Sequence, residues 1–89
     1  MLPQLYQSPF ADGRHLAAAR VMAGLKQIEL ADLAGLHVNS LKRLEAMDSI
    51  CGGWAVNKIH DALLRQGIVC QTRPTPSVYM QEGYLQHNF

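Results

Sequence analysis

The most chemically loaded stretch of the chain runs from Gly35 to Ala46. On a helix, its Asn39, Ser40, Lys42 and Arg43 turn away from Leu41 and Leu44. Amide, ammonium and guanidinium groups presented together on one face are recognition chemistry, because none of them is an activated nucleophile. A side-chain amide fits the paired donor and acceptor of an adenine edge, a guanidinium fits the two acceptors of guanine, and a lysine reaches a base or a phosphate. The same helix has little to hold it down: Leu41 and Leu44 face a core, and Val38 has core spacing as well. The surrounding elements must therefore fix its position.

Eighty-nine residues make one domain with a modest core. The hydrophobic fraction of 48% excludes a disordered chain, and the scarcity of aromatics predicts a core of Leu, Ala, Ile and Val. A net charge of +1 excludes both a strongly basic coater of nucleic acid and an acidic mimic of it. Arg14, Arg20, Lys26, Lys42 and Arg43 lie in the first half, against Glu29, Asp32 and Glu45 on the same stretch. Cys51 and Cys70 make neither a disulfide framework nor a C-x-x-C pair. With His60 they fall short of the four tightly spaced ligands of a usual zinc site, so no metal and no cofactor is expected. No signal peptide and no membrane-spanning run is visible, and the expectation is a cytoplasmic protein.

Along the chain, Met1 to Ala11 reads as an irregular arm. Asp12 caps a first helix that places Leu16, Ala19, Ala23 and either Val21 or Met22 at helical spacing and ends at Gly24. A second helix, in KQIELADLAG, gathers Ile28, Leu30, Ala31, Leu33 and Ala34 on one face and stops at Gly35. The polar helix follows at once. After a CGGW break comes a fourth helix with Val56, Ile59, Leu63 and either Ala62 or Leu64 facing inward, ended by Gly67. Trp54 is expected to plug the core between loop and helix. Beyond Gly67 the segments Ile68 to Arg73 and Ser77 to Gln81 are strand-like, and the tail offers Tyr84, Leu85 and Phe89 for burial. His15, His60 and His87 have no partner visible in sequence.

Two helices joined by so short a glycine turn cross steeply, leaving one face of the second free. At this point a resemblance becomes specific. RVMAGLKQIELADLAGLHVNSLKRLE resembles the helix-turn-helix of the Cro/CI-type repressors, the XRE family. Arg20, Gly24, Leu25, Gln27, Leu30, Ala31, Ala34, Gly35, Leu36, Ser40, Leu41, Leu44 and Glu45 match its pattern in register. The match is dense from Arg14 to Glu45 and weak over the fourth helix. The chain departs from the pattern at Lys26 and His37, where the family places Ser, Thr or Asn as helix caps, so both caps should be weaker. The family's fifth helix is replaced by the strand-like tail.

The resemblance implies a mainly α, four-helix lambda-repressor-like helix-turn-helix domain over residues 12–67. The arm of residues 1–11 precedes it, and a strand-rich segment, 68–89, follows for dimerisation. It implies base contacts from Val38, Asn39, Lys42 and Arg43, and phosphate contacts from Lys26, Gln27, His37 and Ser40. Arg20 and Glu45 are implied as a structural ion pair. The backbone at Gly52 and Gly53 is either a second phosphate contact or a plain connector. Ile68, Val69, Cys70, Val78, Tyr79 and Met80 are the expected dimer surface, because an isolated hairpin is marginal and its edges invite pairing. The function expected is a sequence-specific, autoregulating repressor that binds a palindromic operator in the major groove of double-stranded DNA as a homodimer. By family analogy it would be a nucleoid-associated protein of a prokaryote or of a plasmid or phage. With little after the fourth helix, no small-molecule ligand is expected. The alternative is an antitoxin-like protein-interaction module on the same scaffold. No residue constellation suggests an enzyme.

Overall fold

A computed structural model describes residues 8–81. Four helices are followed by an antiparallel hairpin: α1 (Gly13–Met22), α2 (Gln27–Ala34), α3 (Val38–Glu45), α4 (Trp54–Arg65), β1 (Ile68–Gln71) and β2 (Ser77–Met80). The tail residues Tyr84, Leu85, His87 and Phe89, and the arm's first seven residues, lie outside the described range.

Each helix boundary has a local cause. Asp12 accepts the His15 N–H at 2.9 Å and starts α1. Gly35, at φ 71°, ends α2 in the left-handed conformation that only glycine adopts without strain, and its turn carries the chain into α3 within three residues. The two departures from the expected caps are compensated. At α2 the Glu29 carboxylate accepts the Lys26 N–H at 2.8 Å, so the cap comes from inside the helix. At α3 the His37 ring supplies it, Nδ1 accepting the Asn39 N–H at 3.1 Å.

Leu16, Ala19, Leu30, Ala31, Leu41, Val56, Ile59, Ala62, Leu63 and Ile68 form the centre of the core. Several expected inward residues are outside it. Val21 and Met22 of α1 are 64% and 44% exposed, so neither is the inward residue there. On α2 a narrow stripe of Leu30, Ala31 and Ala34 fills the space available, leaving Ile28 and Leu33 on its two flanks. On α4 it is Ala62, not Leu64, that is buried. Trp54 is 68% exposed because it sits two residues before Val56, a spacing that turns it to the opposite side of the helix. Ile50, in the preceding loop, is buried. The arm contributes a residue that composition did not suggest: Phe10 is 1% exposed, edge-on to the rings of both His15 and His60.

The hairpin pairs Ile68 with Met80, Val69 with Tyr79, Cys70 with Val78 and Gln71 with Ser77. That register puts Ile68, Cys70, Val78 and Met80 on one face, and this face packs on the helical core. This corrects the expected dimer surface at Ile68. Ile68 has no exposed area and serves its own chain, and Cys70, Val78 and Met80 lean on the same core. Only Val69 and Tyr79 of the six stand on the outward face. His15 ties the hairpin to α1: its Nδ1 accepts the Ala11 N–H at 3.0 Å and its Nε2 donates to the Ser77 carbonyl at 2.8 Å.

One contact constrains the whole helical arrangement. A Cβ placed on Gly13 would collide with the Glu45 carbonyl group, so α1 begins in direct backbone contact with the end of α3. The Gly13 N–H donates to the Met47 carbonyl at 2.9 Å across the same junction. Gly13→Ala therefore lowers the unfolding free energy by about 3 kcal/mol in urea denaturation. Gly53→Ala, where nothing approaches within 4 Å, stays within about 0.5 kcal/mol of the parent.

Burial holds the His60 imidazolium pKa below its ordinary value of 6.5, only partly offset by the Asp61 carboxylate. The unfolded chain then binds that proton more readily than the folded one. His60 makes its full contribution above about pH 6.5, and stability falls as the pH drops below that. Chemical denaturation between pH 7.5 and 5 should show this slope, and His60→Gln should flatten it.

Candidate nucleic-acid interface

The site is assembled from the inside outward, beginning with the group that orients α3. Glu45, the last residue of that helix, has a side chain only 7% exposed. Its Oε2 accepts the Arg20 Nε–H at 2.7 Å. Its Oε1 accepts Arg20 Nη2 at 3.2 Å and Gln27 Nε2 at 2.9 Å. Arg20 Nη1 donates onward to the Leu25 carbonyl at 2.9 Å. A single carboxylate thus joins α1, the α1–α2 turn, the start of α2 and the end of α3. Two parallel N–H bonds from a guanidinium also fix direction, which one point charge would not.

The opposite side of α3 is free. Leu41 is fully buried, and Val38 and Leu44 pack half-buried against the core. Val38 thus lies on the inner side of the helix, leaving Asn39, Lys42 and Arg43 as the fully outward set. Ser40 lies at the margin, half-buried. Among the described residues the ion pairs are Arg20–Glu45 and the exposed Arg14–Asp12, so Lys26, Lys42 and Arg43 have no carboxylate partner. No acidic residue shares the outer face of α3, since Glu45 is turned inward.

The expected phosphate-contact residues differ in how they are held. Lys26 is exposed at the start of α2. Gln27 is half-buried, with its amide N–H committed to Glu45, which leaves its Oε1 and second N–H as outward groups. His37 is exposed, and because Nδ1 accepts the Asn39 N–H, its other ring nitrogen carries the proton and points to solvent as a donor. The cap and the outward donor are thus one side chain. That role was not legible in the sequence, where a histidine reads only as the loss of a Ser or Thr cap.

Trp54 and Lys58 form a second exposed pair, the ammonium 5.2 Å from the ring centroid. Gly52 and Gly53 precede them. His60 and Cys70 line one open cleft with Asn57 and Arg73, while Cys51 is exposed in the α3–α4 loop. Among the described residues no three metal-ligating side chains come together. The Cys70 thiol is pushed up to about 11 by burial, so it is protonated at neutral pH and is no nucleophile there. No helix among the described residues is long and apolar enough to cross a membrane.

No family model matches the sequence, and no curated protein matches it. Glu45→Ala leaves the largely buried Arg20 charge uncompensated and should cost about 3 kcal/mol of stability. In a double-mutant cycle with Arg20→Ala, the two losses should combine to clearly less than their sum, since both remove one interaction.

Proposed function

We propose that the protein is a sequence-specific DNA-binding regulator in which α2 and α3 form a helix-turn-helix and α3 enters the major groove. The observation that carries this reading is the two-faced α3. Its inner side is anchored by Leu41 and the Glu45 carboxylate, and its outer side consists of Asn39, Lys42 and Arg43, whose side chains have no partner among the described residues. Asn39 and Arg43 read bases, each bidentate contact discriminating by about 1–3 kcal/mol. Lys42 reaches a base or a phosphate. Lys26, the outward amide of Gln27, the free N–H of His37 and Ser40 bind the backbone on either side, setting register rather than sequence.

A helix of eight residues spans only a few base pairs. Two copies on a two-fold axis would read an inverted repeat with half-sites about 34–36 Å apart. The activity that follows is repression by occupancy of an operator, autoregulatory where that operator lies upstream of the protein's own gene, in a cytoplasmic setting. The resemblance to the Cro/CI-type repressors agrees with this reading over Arg14 to Glu45.

Gel shifts against the DNA upstream of the protein's own gene, titrated with salt, test it. Arg43→Ala should relax discrimination at one base position while leaving the other positions unchanged. Lys26→Ala should weaken all sequences alike and reduce the slope of log affinity against log salt by about one unit. Equal affinity for operator and random DNA at every salt concentration would contradict the proposal.

A further inference from the structure

The helix α1 is unusual in what it shows to solvent. Its ten residues carry only three polar side chains: Arg14, His15 and Arg20. His15 is buried and Arg20 is committed to Glu45. The solvent side beyond Arg14 is Ala17, Ala18, Val21 and Met22. The other helices intersperse exposed apolar residues with charged and polar ones: Ile28 and Leu33 of α2 stand beside Glu29 and Asp32, and Trp54 and Leu64 of α4 beside Asn57, Lys58, Asp61 and Arg65, while α3 exposes Asn39, Lys42 and Arg43. A helix that is apolar on its outer side as well as its inner side is ordinarily covered. Pro76 and Val78 of the hairpin extend this surface, forming with Ala18 and Met22 the walls of an open groove alongside α1.

We propose that this face is the docking site of a second copy of the same chain, α1 crossing α1 antiparallel on a two-fold axis near Ala18. Two features point to a copy rather than to a different protein. A two-fold interface must be self-complementary, and this surface offers both parts: the exposed Val21 side chain, and beside it the open groove lined by Ala18, Met22, Pro76 and Val78. The charges are also self-compatible. The charged groups lining the groove are Asp12 and Arg14, of opposite sign and 3.3 Å apart, so pairing two copies opposes no net charge. The antiparallel crossing sets each Arg14, whose side chain is 92% exposed, near the negative C-terminal end of the other copy's α1. The interface lies on α1 and the groove wall, and the outward hairpin residue Tyr79 lies outside it. The inference rests on the proposed DNA reading for its purpose but not for its geometry.

Sedimentation equilibrium of the full chain tests it, with three proteins compared at 1–200 micromolar. The parent should be dimeric, Val21→Glu monomeric with an unchanged circular-dichroism spectrum, and Tyr79→Glu dimeric. In a Cys51→Ser background, Ala18→Cys should form a disulfide-linked dimer under mild oxidation, which keeps the test decisive if Val21→Glu fails to fold. A parent that stays monomeric throughout overturns the inference, whether a foreign protein or residues 82–89 of its own chain cover the face. So does a dimer abolished by Tyr79→Glu and untouched by Val21→Glu. A dimer of the expected kind that ignores DNA upholds this interface and removes the proposed function. A monomer that binds its operator does the reverse.

Discussion

The Glu45 carboxylate is the interaction on which the arrangement depends. It takes three hydrogen bonds from two side chains, Arg20 on α1 and Gln27 on α2, and it ends the helix whose outer face is the candidate site. Helices this short have too small an apolar stripe to fix their own rotation. For α3 that stripe is Leu41 with half-buried Val38 and Leu44, which resists removal from the core but resists rolling less well. A bidentate ion pair at one end and the Gly35 turn at the other supply the missing rotational constraint. The direction in which Asn39 and Arg43 point is therefore set by residues that do not share their face.

The backbone closes the same junction. Gly13 lets α1 begin against the Glu45 carbonyl, close enough that no side chain fits between them. The ion pair and this contact lie at the same end of α3, so side-chain electrostatics and backbone sterics specify one geometry. On the far side of α1, Phe10, His15 and His60 lock arm, helix and hairpin together. The hairpin thus shares the helical core through Ile68, which has no exposed area to offer another chain.

Much of this was legible in the sequence. Asp12, Gly24 and Gly35 marked helix ends, because capping and left-handed turns demand particular residue types. The spacing of Asn39, Lys42 and Arg43 against Leu41 placed them on one outer face. What periodicity could not resolve was how wide each buried stripe would be. On α2 three small or slender residues filled the space, so Ile28 and Leu33, apolar and correctly spaced, remained exposed. Trp54 faces solvent although large aromatics are expected inside, because its position two residues before Val56 decides its direction. The compensating caps from Glu29 and His37 depend on side-chain rotamers that no spacing rule encodes. Burial of Phe10 depends on how the arm folds back, which is a long-range property.

The central claim is that the outer face of α3 reads base sequence. Selection from a pool of random double-stranded DNA tests it most directly, since it presupposes no operator. The expected result is enrichment of an inverted repeat whose half-site centres are about one helical turn apart. Replacing Arg43 by alanine should change the enriched motif at one position per half-site. A bound pool that remains as random as the input, for a folded protein at low salt, would contradict it.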